Sequence, residues 1–314
     1  MNDNAKFHPN YPTPDEIDQW CDSLKARAQK LAFTATEVTD PPCHGHTAPA
    51  RHATGRFVKF EGGFDTFYCY WQPVASRGPA PLLIHLPGYG GETSSHPQLV
   101  ADGFNVLHVN PRGYCTPQGL AEEKKRNGSF PVLPDHVETL GQHGYSDWFT
   151  DVLVALRWAL DQPCVQPERL GVFGTSQGGG TALLLASILR DRVRAVAADV
   201  PFLINFPMLE TLTEPGAYFL AFEPLTRMAA TGPEKVAKAW RALGLVDVLC
   251  HAHRLGMPVM LLAGAADTIC PSASIESLLP HLKGTRSYTL IDKQEHTYTV
   301  PFLPLARAWF AMHV

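Results

Sequence analysis

Short, largely apolar runs recur along this chain, and between them lie stretches in which apolar positions return every three or four residues. The runs are Leu82–Leu86, Phe104–Val109, Leu170–Phe173, Arg194–Asp199, Val259–Ala263 and Tyr288–Ile291. A run that is apolar at consecutive positions marks a strand covered on both faces, because neither side of it meets water. The intervening stretches read as helices. Ser146 caps one that continues to about Leu160, with Trp148, Val152, Leu153, Leu156 and Leu160 on one stripe. Others cover Ala182–Leu189, Val246–His253, about Ser274 to Leu282, and the chain from Pro301 onward. Strands alternating with helices imply right-handed βαβ units, and so a three-layer α/β fold on a mostly parallel sheet.

Two regions depart from that alternation at the start. Thr13-Pro14-Asp15-Glu16 combines a threonine cap, proline at the first helical position and glutamate three residues after the cap, so a helix is expected to about Ala32. Its apolar positions Ile17, Trp20, Cys21, Leu24 and Leu31 make it a packing arm, assigned to residues 1–54. Gly55–Phe60 and Phe64–Trp71, joined by Glu61-Gly62-Gly63, predict an antiparallel hairpin. The catalytic domain then spans 55–314. Two excursions interrupt it: Tyr114 to Tyr145, with the charged run Glu122–Arg126, and an insert at about 201–245 that reads equally as packing or as a lid.

Composition narrows the function classes. The 314 residues carry 45% hydrophobic and 18% charged residues, enough for one large core. A net charge of −4 gives no support for a nucleic-acid surface. No run of about 18 apolar residues is present, and the polar stretch Met1 to Tyr11 shows no signal peptide, so neither a membrane span nor export is expected. Seven scattered cysteines fit reduced thiols in the cytoplasm better than a disulfide framework. Cys43, His44 and His46 lack the paired spacing of a zinc site, and the flanking Pro41, Pro42 and Gly45 make this stretch a loop. No metal or organic cofactor is expected.

The chemistry gathers around Gly174-Thr175-Ser176-Gln177-Gly178, where a strand turns sharply into a helix. A nucleophile elbow has this form: the glycines let strand and helix approach while the serine hydroxyl is pushed outward, and the helix N-terminus faces the developing charge. The strand ending at Ala263 runs into Asp267, and the one ending at Ile291 runs into His296. The order Ser176, Asp267, His296 is the one this elbow requires. In these roles Ser176 is the nucleophile, His296 takes and returns its proton, and Asp267 orients the imidazole. Asp292 competes as the acid. The Gln177 N–H is the first oxyanion donor, and Tyr89, in the turn after Leu86, supplies the second. Cys270 is read as packing rather than as a reactive thiol.

These residues resemble the acetyl xylan esterases and cephalosporin C deacetylases, carbohydrate esterase family seven, of the α/β-hydrolase fold. The likeness rests on Gly174-x-Ser176-Gln177-Gly178-Gly179, Gly88-Tyr89-x-Gly91, Arg112-Gly113, Ala198-Asp199-Val200-Pro201-Phe202 and Asp267-Thr268-Ile269-Cys270-Pro271. It implies hydrolysis of small acyl esters, acetyl above all, by a cytosolic homo-oligomer without cofactor, with Tyr89 and Gln177 forming the oxyanion hole. The chain departs from the family at Tyr114, where Arg-Gly-Gln is usual, at Thr297, where His-Glu is usual, and at Pro87, where His-Gly-Tyr is usual. Two other readings use the same elbow: a peptidase of the prolyl-oligopeptidase type, and a ligand-binding receptor built on a hydrolase fold.

Overall fold

The computed structural model describes residues 7–39, 55–75, 78–89, 93–111, 133–210, 219–230 and 232–314. Nine strands form one sheet: β1 (Phe33–Val38), β2 (Arg56–Gly62), β3 (Phe64–Gln72), β4 (Ala80–Leu86), β5 (Asn105–Val109), β6 (Val165–Thr175), β7 (Val193–Asp199), β8 (Val259–Gly264) and β9 (Arg286–Ile291). Their order is β1-β2-β3-β5-β4-β6-β7-β8-β9. The first four in that order pair antiparallel, and from β5 across to β9 every pair is parallel. The fold is therefore the α/β class expected from the alternation.

Burial explains the continuous apolar runs. Every residue of β4, β5 and β8 is buried. Alternate side chains feed opposite faces, as the pleat requires. Leu82, Ile84 and Leu86 join the core under helices Pro14–Lys30, Tyr145–Leu160 and Gln177–Leu189, while Leu83 packs with Phe173, Met260 and Phe310 of the terminal helix Phe302–His313. Helices thus cover both faces. Among the described residues no helix is long and apolar enough to cross a membrane.

The N-terminal helix runs Pro14–Lys30 with the expected capping box between Thr13 and Glu16, and it buries Ile17, Cys21, Leu24 and Ala28. The pattern gave no warning of β1. It lies inside the stretch assigned to a helical arm, and the sheet reaches back into that stretch. As an edge strand it mixes half-buried with exposed positions and contains no continuous apolar run.

Three further differences are local. The helix near Ser146 starts at Tyr145, and Ser146 is no cap: its hydroxyl donates to the Gly141 carbonyl at 2.7 Å. The helix expected over Val246–His253 is a 3-10 stretch, Val248–Arg254, that Asp247 caps by accepting from the Leu249 N–H. Ser274–Leu282 divides into the short helix Ser272–Glu276 and the 3-10 turn Leu279–His281.

The two excursions meet. Helix Leu133–Glu138 packs against Phe219–Ala229 and Pro233–Gly244; the His136 Nε2–H donates to the Ala242 carbonyl at 2.8 Å, and Arg227 pairs with Glu138 at 2.7 Å. Ala239, Trp240 and Leu243 are buried, so the end of the insert is packing. Residues 112–132 and 211–218 lie outside the described residues. The same holds for Cys43, His44 and His46.

Candidate active site

The registers of the sheet bring the carboxyl ends of its central strands level: Leu86 pairs with Gly174, Thr175 with Asp199, and Gly264 with Ile291. Ser176, Asp267 and His296 follow β6, β8 and β9 at this edge, where chemistry gathers in open α/β sheets.

Ser176 sits between β6 and helix Gln177–Leu189 at φ 58° and ψ −121°. That left-handed backbone is costly for a serine and persists because its surroundings hold it. The Ser176 N–H donates to the Asp199 carbonyl at 2.9 Å, and the Ser176 carbonyl accepts from Gly180 at 3.0 Å and Phe202 at 2.9 Å. The crossing needs glycine where the sequence has it. A Cβ on Gly178 would lie 2.0 Å from the Leu86 carbonyl oxygen, and one on Gly174 would lie 2.4 Å from the Gly178 backbone.

The Ser176 Oγ lies 2.9 Å from His296 Nε2, and His296 Nδ1 lies 2.8 Å from Asp267 Oδ2. The other Asp267 oxygen accepts the backbone N–H groups of Ile269 and Cys270 at 2.8 and 2.7 Å. The Asp267 side chain is fully buried, whereas the His296 ring is partly open to solvent. With its other oxygen held by two backbone donors, the Asp267 carboxylate accepts the Nδ1–H of His296, the tautomer that turns the bare Nε2 toward the Ser176 hydroxyl. Asp292 is exposed, and the imidazole is bonded to Asp267 instead.

Gln177 is buried as the first residue of its helix, while Tyr89 is exposed in the turn after β4. That turn runs beside Ser176: a Cβ on Gly88 would sit 3.3 Å from the Thr175 carbonyl oxygen and 3.9 Å from the Ser176 Cβ. Gly91, Arg112 and Tyr114 lie outside the described residues. Thr297 follows His296 as an exposed residue.

Asp199 is a group to which the sequence reading gave no role. It ends β7, is fully buried, and its carboxylate accepts the Thr299 hydroxyl at 2.6 Å, the Thr299 N–H at 3.3 Å and the Thr175 hydroxyl at 3.2 Å. Thr299 lies three residues beyond His296, so one buried carboxylate ties the loop that carries His296 to the strand that precedes Ser176. Burial pushes the Asp199 carboxyl up to about 6, against the pull of the threonine donors and of His296. A polar residue ending a buried apolar run was the available signal.

Cys270 is buried against the same groups. Asp267, Cys270 and His296 each place one potential ligand atom within 4.8 Å of the others.

The family model described as acetyl xylan esterase (AXE1) matches residues 7–313. The uncharacterized protein YfhR of Escherichia coli strain K12 is 25% identical over 248 residues, which cover 76% of this chain and 72% of that protein. Among solved structures, the acetyl xylan esterase from Paenibacillus sp. R4 superposes with a TM-score of 0.77 at 19% identity over 98% of both chains. A Mycobacterium tuberculosis puromycin-hydrolyzing peptidase has a TM-score of 0.59 at 20% identity, over 79% of this chain and 37% of that one. A match that spans the sheet, the elbow and both loops following β8 and β9 settles the family: this chain belongs to the acetyl xylan esterase (AXE1) family and is a carboxylic-ester hydrolase.

Proposed function

We propose that the enzyme removes small acyl groups, acetyl above all, from esters through an acyl-enzyme on Ser176. The observation that carries this reading is the continuous relay from Ser176 Oγ through the His296 imidazole to Asp267, with steps of 2.9 and 2.8 Å. His296 Nε2 takes the serine proton as Oγ attacks the ester carbonyl, and Asp267 stabilises the imidazolium. The backbone N–H groups of Tyr89 and Gln177 receive the oxyanion, each such donor lowering the barrier by about 3 kcal/mol. His296 then protonates the departing alkoxide, and a water activated by the same imidazole releases the acid. No step requires a metal or organic cofactor. The five cysteines among the described residues are free, which supports a reducing, cytoplasmic setting. The family resemblance supports a homo-oligomer of this chain, readable by light scattering.

The peptidase neighbour favours a second reading, in which the same relay cleaves amides. The match over 7–313 weighs for the ester. Hydrolysis of p-nitrophenyl acetate, p-nitrophenyl butyrate and an aminoacyl nitroanilide separates them: acetate is expected to be fastest and the anilide inert. Ser176→Ala and His296→Ala are expected to abolish turnover, and Asp267→Asn to lower kcat by roughly 10⁴-fold. Asp292→Asn should match wild type. Equal rates for wild type and Ser176→Ala would end the proposal, and full activity in Asp267→Asn would transfer the acid role elsewhere.

A further inference from the structure

We propose that the reaction centre is also a binding site for a thiophilic divalent cation, with zinc as the type, held by Cys270, His296 and Asp267, and that the bound ion shuts the enzyme off. Among the described residues, this is the grouping of three His, Cys, Asp or Glu side chains whose ligand atoms come within 4.8 Å of one another.

The donor set selects the ion. A thiolate and an imidazole favour zinc, and hard cations such as magnesium prefer all-oxygen shells with retained waters. The charges also match. One thiolate and one carboxylate neutralise a divalent cation, so the filled site carries no net charge into a buried setting. Zinc bonds of about 2.0–2.3 Å place tetrahedral ligand atoms about 3.3–3.6 Å apart. The His296 Nδ1 and Asp267 Oδ2 atoms, now 2.8 Å apart around a shared hydrogen, need only a small separation to admit the ion.

Binding at this place exchanges protons in a defined way. The ion takes the lone pair of Nδ1, and the imidazole hydrogen moves to Nε2. The Cys270 thiol, which burial and the Asp267 charge hold in its protonated form, gives its proton to solvent as the sulfur becomes a ligand. His296 Nε2 then faces Ser176 Oγ as a donor across 2.9 Å and has no lone pair with which to accept the serine proton. A site that folds around Asp267, with the Ile269 and Cys270 N–H groups already fixing its second oxygen, is preorganised for this exchange.

The inhibition rests on the ester-hydrolase reading; the binding does not, so the two are tested separately. Cobalt(II) titrated into chelator-treated protein is expected to give a thiolate-to-cobalt charge-transfer band, retained in Cys164→Ser and lost in both Cys270→Ser and Cys270→Ala. Magnesium should give no competition, and zinc should bleach the band. In the second arm, zinc should inhibit p-nitrophenyl acetate hydrolysis with recovery on adding EDTA, and each Cys270 variant, referred to its own uninhibited rate, should need at least about tenfold more zinc for half-inhibition. A wild-type protein without the band, or a band that survives both Cys270 substitutions, overturns the site. A band without inhibition in an active enzyme overturns the shut-off while leaving the binding. A protein inactive on every ester removes only the function that the ion would block, since the cobalt spectrum still decides the site.

Discussion

At the scale of single residues, Asp199 and Thr299 carry the sharpest consequence. Thr299 gives Asp199 two donors, and the hydroxyl bond at 2.6 Å is the shorter. A hydrogen bond to a charged acceptor is worth about 1.5–3 kcal/mol, so a His296 loop released from it should misplace the imidazole by enough to slow catalysis roughly tenfold. Thr299→Val is expected to lower kcat for p-nitrophenyl acetate by that factor with little change in KM, and Thr299→Ser to restore it. An equal loss in both variants would make the contact mere packing. Asp199 adds a pH signature. Its carboxyl rises from 3.8 to about 6 on folding, so between those values the folded state holds the proton more tightly than the unfolded one, and stability falls as pH rises through that window. Above it the penalty is constant at about 3 kcal/mol. Asp199→Asn should remove that slope from the unfolding curve, measured against an Asp292→Asn control. The role of Asp199 was hidden in the sequence because its partner lies one hundred residues away in a different loop. Ser176, Asp267 and His296 were legible because strand ends and chain order alone place them on one edge.

At the scale of elements, the docking of helix Gln177–Leu189 on β4 depends on a glycine that the motif names but does not explain. Its backbone fits against Leu86 only without a Cβ, which would lie 2.0 Å from a carbonyl oxygen that cannot swing aside. Gly178→Ala must push the helix from the sheet and drag Gln177 and Ser176 with it. Overpacking of this kind costs about 1–3 kcal/mol, and more where backbone meets backbone. Urea unfolding should show that loss, and, on the proposed mechanism, ester turnover should fall further than stability because the Gln177 N–H moves with the helix. The segment after β7 is held in the same manner: Val200, Leu203 and Asn205 all have positive φ, and they stay there through bonds from Phe202 to the Ser176 carbonyl and from Asn205 and Phe206 to Asp247. The sequence revealed the interior strands because burial on both faces leaves an unbroken apolar run. It hid β1, since an edge strand with one wet face has no such run, and it hid the 3-10 character of Val248–Arg254, which shares its apolar spacing with an α-helix.

At the scale of the whole molecule, buried histidines held below their ordinary value set an acid limit to the fold, opposed by the raised carboxyls of Asp199, Asp247 and Glu210. Burial holds His85 well below its ordinary value, His96 and His251 at about 3, and His108 and His136 at about 4. At His108 and His251 the hydrogen bonds require a neutral ring. His108 Nε2–H donates to Asn110, so its Nδ1 accepts from His85 Nδ1–H at 2.6 Å, and His251 Nδ1 accepts the Ser187 hydroxyl at 2.6 Å while Nε2–H donates to Leu245. Their unfolded value is near 6.5, so below it the unfolded chain binds protons that the folded one refuses. The stability they confer is complete above pH 6.5 and drains away beneath it. At pH 5.5 each costs on the order of 1 kcal/mol, and protonation of the raised carboxyls of Asp199, Asp247 and Glu210 offsets part of that sum. A net loss of several kcal/mol is a large share of the roughly 5–15 kcal/mol that holds a typical domain together. Thermal midpoints should therefore be level above about pH 7 and fall steeply between pH 6.5 and 5. Because His85 lies two residues before Pro87 on the strand that carries the Tyr89 turn, ester hydrolysis should decline in the same window as the fold. Midpoints that stay flat to pH 5 would show that these rings are solvated or charged in the folded protein.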